Sequence, residues 1–164
     1  MLRVGIIGPE STGKSTLAKE LAAQFKGVYV PEYAREYIER KGSRDVSYDE
    51  LCAIARHQIE EMDQTAGKQE TTDERLFFYD TELIVTKVWF DYAFGRVPDW
   101  LEQAVRTYPM DLYLLTCPDL PWVQDGARYN GSDEMRKELF ERYEAEIEAT
   151  QSPYYIIRHT NNDI

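Results

Sequence analysis

The sequence predicts an α/β protein in which a parallel five-stranded sheet lies between layers of helix. Three observations predict it. Short β-branched and aromatic runs alternate with segments of helical period. The first run ends in a glycine-lysine loop that opens a helix. With 164 residues, 43% of them hydrophobic, the chain is large enough to bury one substantial core, and a single domain over residues 1–164 is expected.

The elements follow in order. Leu2–Ile7 is a β-branched run closed by Gly8 and reads as a buried strand. Lys14–Phe25 carries Leu17, Leu21, Ala22 and Phe25 at the spacing of one helix face. Val28–Val30 is a second strand, stopped by Pro31, and Glu32–Arg40 is a helix closed by Gly42. Ser47 and Glu50 form a capping box ahead of Leu51, Ile54, Ala55, Ile59 and Met62. Leu76–Tyr79 is the third strand, and Leu83–Phe94 is a helix ending at Gly95. Another helix covers Trp100–Thr107, after Pro98. Leu112–Leu115 and Tyr154–Ile157 are the last strands, separated by a polar loop (Pro118–Gly131) and a helix (Asp133–Ala149). Strands regularly separated by helices imply parallel pairing with both faces covered.

Composition removes several classes of function. A net charge of −11 argues against nucleic acid as a partner, because phosphate backbones require basic stripes. No apolar run is long enough for a membrane span. Met1 leads almost directly into a strand without a signal-peptide layout, so a cytoplasmic location is expected. Cys52 and Cys117 are far apart and form no CxxC, which indicates reduced thiols rather than a disulfide framework or a zinc site.

The chemistry concentrates in Gly8-Pro9-Glu10-Ser11-Thr12-Gly13-Lys14-Ser15, which fits G-x-x-x-x-G-K-[ST] between a strand and a helix. The glycines let successive backbone N–H groups face phosphate oxygens, and the helix opening adds its positive dipole end. Gly8, Glu10, Ser11, Thr12, Gly13, Lys14, Ser15 and Thr16 are therefore the candidate ATP-binding residues. Within this set Lys14 reaches the β- and γ-phosphates and the Ser15 hydroxyl ligates Mg2+. Asp80, at the carboxyl end of the third strand, is the second candidate Mg2+ group and also faces substrate. Glu82 is a weaker candidate beside it.

Glu32 and Arg35 follow the second strand and should emerge at the ligand-binding edge of the sheet. Glu32 would accept the proton of an attacking hydroxyl, and Arg35 would bind the transferring phosphoryl group or orient Glu32. Tyr33 beside them is a candidate substrate contact. The loop after the fourth strand suits a lid that excludes water. In it Trp122 is a candidate substrate contact or an aromatic plug that holds the lid, Asp125 a candidate substrate contact, and Arg128 a candidate for neutralising the γ-phosphate, with Arg136 on the following helix. His57, alone on an amphipathic helix, is expected to be structural. Together the loop and the lid predict a P-loop NTPase of nucleoside-kinase type, three-layered α/β/α, with strand order 2-3-1-4-5.

Four segments taken in order carry a family resemblance. Gly8–Ser15, Glu32-Tyr33-Ala34-Arg35-Glu36, Asp80-Thr81-Glu82 and Pro121–Arg128 with Gly131-Ser132 resemble the ribosylnicotinamide kinase domain of NadR-type NAD-salvage proteins. The resemblance spans nearly the whole chain. It implies transfer of the γ-phosphate of ATP to the 5′-hydroxyl of nicotinamide riboside, giving nicotinamide mononucleotide. Glu32 and Arg35 would line the substrate pocket, Asp80 the metal site and Arg128 the lid. The chain departs from the family pattern at Pro31 and Asp63, where aromatic residues are expected around the nicotinamide ring, and at Glu82, where an Asp is expected. The family's closing loop and helix would extend past Ile164, and its adenylyltransferase domain is outside this sequence, so this chain alone is not expected to make NAD. A GTPase is disfavoured because Thr86-Lys87-Val88-Trp89 lacks the base-reading Asp. Another small-molecule kinase and a non-catalytic nucleotide sensor remain as alternatives.

Overall fold

The computed structural model describes residues 1–67, 75–119 and 133–158. Strand β1 (Leu2–Ile7) leads through the glycine-lysine loop into α1 (Lys14–Gln24), followed by β2 (Val28–Val30), α2 (Tyr33–Lys41) and α3 (Tyr48–Gly67). Then come β3 (Leu76–Asp80), α4 (Leu83–Phe94), α5 (Asp99–Thr107), β4 (Leu112–Thr116), α6 (Asp133–Thr150) and β5 (Tyr154–Ile157). All four pairings are parallel, in the order β2-β3-β1-β4-β5. The predicted three-layer α/β/α class and strand order are both observed. β1 sits at the centre, so the loop that follows it opens at the middle of the carboxyl edge, where such sheets bind ligands.

The period of two within each strand divides the core. Val4 and Ile6 of β1, with Phe78 of β3, pack on Ala18 and Ala22 of α1. Ile7, Tyr79, Tyr113 and Leu115 face the opposite side, against α3, α4, α5 and α6. α4 is mostly apolar because of its position: Leu83, Ile84, Val85, Thr86, Val88 and Phe90 are all buried under α3, α5 and α6, while Lys87 and Asp91 pair with Glu146 and Arg142 of α6.

Helix ends follow their local chemistry. Gly42 and Gly95 close α2 and α4 in the left-handed conformation. The Ser47 hydroxyl accepts from the Glu50 amide at 3.1 Å, as the capping pattern predicts. Several element ends differ from expectation by one residue, and one by more. α3 runs on to Gly67 rather than stopping near Met62, and α2 begins at Tyr33 with Glu32 as its cap residue. Among the described residues no helix is long and apolar enough to cross a membrane, and both cysteines are free thiols.

Candidate active site

The loop between β1 and α1 is held by its own polar groups. Gly13 caps α1 at φ 80° and Ser11 has φ 57°, alternations that turn successive amides inward. The Thr12 hydroxyl donates to the Pro9 carbonyl at 2.6 Å and lies 2.5 Å from the Thr116 hydroxyl at the end of β4. Gly8 is required by that packing, because a Cβ there would stand 2.0 Å from Thr116 Oγ1 and 2.8 Å from its carbonyl oxygen. Lys14 Nζ donates to the carbonyls of Gly8 (2.8 Å) and Pro9 (2.9 Å), which folds the ammonium over the loop.

Asp80 ends β3 directly beside this loop, because β3 and β1 run in register from Leu2↔Leu76 to Ile6↔Asp80. Its Oδ2 accepts from Ser15 Oγ at 2.5 Å and from Tyr29 OH at 3.0 Å. Burial, with the Asp80 carboxylate second, pushes the Tyr29 phenol above its ordinary range and keeps it a donor. Asp80 Oδ1 is buried and has no hydrogen-bond partner among the described residues. A buried carboxylate oxygen left over beside a serine hydroxyl suits a hard divalent cation such as Mg2+, which binds few protein oxygens and takes the rest from phosphate and water. No cluster of three His, Cys, Asp or Glu side chains suited to a metal occurs among the described residues, so ligand oxygens would have to complete the shell.

One cavity of about 210 Å³, open to solvent, has both this loop and a set of apolar side chains in its walls. Glu10 to Thr16 with Glu32 and Arg35 supply its polar lining, and Ile38, Leu51, Ile54, Val85 and Trp89 its apolar lining. Glu32 Oε2 lies 3.7 Å from Arg35 Nε. Loss of water raises the Glu32 carboxyl above its ordinary range, against the opposing pull of Lys14 and Arg35. A carboxylate poised in this way can take a proton from a hydroxyl held in the cavity.

Three candidate residues take definite places in the fold. Tyr33 does not line the cavity: its ring stacks on His57 of α3, with centroids 3.6 Å apart and planes 15° from parallel. Arg136 is turned inward, 1% exposed, and donates to the Pro118 carbonyl at 3.1 Å. It therefore ties α6 to the end of β4. Glu82 is the cap of α4, its Oε1 accepting from the Ile84 amide at 2.8 Å, and burial lifts its carboxyl to about 8. Trp122, Asp125 and Arg128 lie outside the described residues.

Sequence reasoning missed Tyr29, Thr81, Trp89 and Arg44. Tyr29 reads as an ordinary strand residue, and only the β2–β3 pairing brings it to Asp80. Val85, Trp89 and Ala93 line the cavity from one face of α4, with Thr81 in the turn before it, a face concealed by the many apolar residues of the helix.

A family model described as the AAA domain matches residues 3–163. The trifunctional NAD biosynthesis/regulator protein NadR of Escherichia coli (strain K12) is 31% identical over 139 residues, covering 83% of this chain and 33% of that protein. The chain thus spans about a third of the length of the curated relatives it matches. A crystal structure of NadR protein in complex with NR superposes with TM-score 0.79 at 24% identity, over 99% of this chain and 47% of the other. A NadR protein in complex with NAD and AMP-PNP gives TM-score 0.75 at 22% identity, over 99% and 45% respectively. Both share the fold described above.

Proposed function

The chain belongs to the AAA domain family, and within it we propose that this protein is a kinase that transfers the γ-phosphoryl group of ATP to the 5′-hydroxyl of nicotinamide riboside. The observation that carries this reading is the single cavity lined by a phosphate-binding loop, a carboxylate at Glu32 and apolar side chains. A nucleoside has the matching parts: a primary alcohol, a sugar and a flat ring. The likeness to NadR proteins, one of them crystallised with NR, supports nicotinamide as that ring.

In this reading the loop amides and Lys14 hold the β- and γ-phosphates, with Lys14 exchanging its two loop carbonyls for phosphate oxygens. Ser15 and Asp80 are the residues that would hold Mg2+, which when bound neutralises phosphate charge as the bridging bond breaks. The 5′-oxygen forms the new P–O bond, the bond between γ-phosphorus and the bridging oxygen breaks, and ADP leaves. Glu32 receives the hydroxyl proton, while Arg35 orients Glu32 and stabilises charge on the moving phosphoryl group.

The test is ADP release with Mg-ATP, with and without nicotinamide riboside, beside a panel of other nucleosides. Stimulation by nicotinamide riboside should fall by roughly 10²–10⁴ in Glu32→Gln, should be abolished in Lys14→Ala and should require a divalent cation. Stimulation by a different nucleoside alone would replace the acceptor. Nucleotide binding without any acceptor-dependent turnover would refute the kinase reading in favour of a sensor.

A further inference from the structure

We propose that Thr81 recognises a sugar hydroxyl of the phosphate acceptor, an assignment that rests on the kinase reading above. Three observations converge on this residue. Its backbone lies at φ 72°, a conformation that a β-branched side chain strongly disfavours. Its hydroxyl is buried, with the residue 7% exposed, and Oγ1 has no hydrogen-bond partner among the described residues. It also lines the cavity.

The conformation is imposed from both sides. The Thr81 amide donates to the Ile6 carbonyl at 3.0 Å, extending the β1–β3 pairing by one residue. On the other side Glu82 caps α4 through the Ile84 amide, and the Val85 amide donates to the Glu82 carbonyl at 3.1 Å. Strand and helix together leave the intervening residue no route back to an ordinary φ. A disfavoured backbone and an unused buried hydroxyl both cost stability, and such costs persist where a ligand offsets them.

Position identifies the ligand group. Thr81 follows Asp80, which is bonded to the phosphate loop, and precedes Val85 and Trp89, which belong to the apolar lining. Along the chain it thus joins the group bonded to the phosphate loop to the start of the apolar lining. The part of a nucleoside that spans such a junction is the sugar. A threonine hydroxyl both donates and accepts, as an alcohol does, so the two can pair without desolvating a charge.

Thr81→Val retains shape and β-branching and removes the hydroxyl. It should lower kcat/KM for nicotinamide riboside about tenfold and leave the KM for ATP within about twofold. The wild type should prefer nicotinamide riboside over its 2′-deoxy or 3′-deoxy analogue by about tenfold, a preference retained by Thr81→Ser and lost in Thr81→Val. Thermal melting of the Val variant should be no lower than wild type, since it removes an unsatisfied buried group. A merely structural role would not move the preference between parent and deoxy acceptors. Unchanged discrimination against both analogues in Thr81→Val, or an altered KM for ATP with normal acceptor kinetics, would overturn the role of Thr81 and leave the kinase reading standing. Failure of the wild type to phosphorylate any nucleoside would overturn the kinase reading and the Thr81 assignment together.

Discussion

Glu82 should make the protein lose stability as the pH rises, and Glu82→Gln should abolish that loss. The Glu82 carboxyl is enclosed at the start of α4, and its burial outweighs the hydrogen bonds it accepts from the amides of Ile84 and Leu83. Its titration moves from the ordinary 4.5 to about 8. Between those values the folded chain holds a proton that the unfolded chain has released, so stability is complete below pH 4.5 and falls until about pH 8. At about 1.4 kcal/mol per pH unit, the ionisation difference integrates to about 4 kcal/mol between pH 5 and pH 8.5. Glutamine can still accept from the Ile84 amide and does not titrate. The wild-type and Gln proteins would be unfolded in urea at both pH values. The Gln variant should gain about 4 kcal/mol on the wild type between them, or about 10 °C in Tm for a chain of this size. Any fixed cost of replacing O–H by NH2 cancels in that comparison. Parallel profiles, with the gap constant to within about 1 kcal/mol, would show that the site admits enough water to solvate the carboxylate and that the burial argument fails.

Two further outcomes are expected. The Glu32 carboxyl is raised above its ordinary range chiefly by desolvation, so the acid limb of kcat/KM against pH should lie above 4.5, with activity growing as the carboxylate forms. Because Arg35 pulls that carboxyl downward, Arg35→Met should displace the limb to higher pH, and a limb unmoved in this variant would remove Glu32 from the role of base. Gly8→Ala would force a Cβ to within 2.0 Å of Thr116 Oγ1 and 2.8 Å of its backbone carbonyl. Backbone displacement should cost about 1–3 kcal/mol of stability. ATP affinity, read by titration calorimetry, should fall more than tenfold as the loop amides lose alignment.

Contiguous sequence carried most of the architecture and the location of the phosphate loop. Period-two runs and helix-period runs depend on residues a few positions apart. The loop from Gly8 to Ser15 encodes its conformation in its own glycines and hydroxyls. The same local logic put Glu32, Arg35 and Asp80 at the carboxyl edge of the sheet, where the structure gathers them around the loop and its cavity. Side-chain direction was a different matter. Tyr33 begins a helix beside Glu32, yet the packing of α2 on α3 turns its ring onto His57. Arg136, a candidate for the γ-phosphate from its place after the loop, has its guanidinium inside, donating to the Pro118 carbonyl. Trp89 was concealed because most of α4 is apolar, so periodicity could not say which apolar face met a neighbour and which met the cavity; Thr81 lies in the turn before the helix, where no period applies. Strand register and helix rotation arise from contacts between residues tens of positions apart, such as Tyr29 with Asp80 and Thr12 with Thr116. Local sequence places the phosphate loop, Glu32, Arg35 and Asp80 at the ligand edge, whereas the remaining lining and the pairs that face one another depend on how the layers dock.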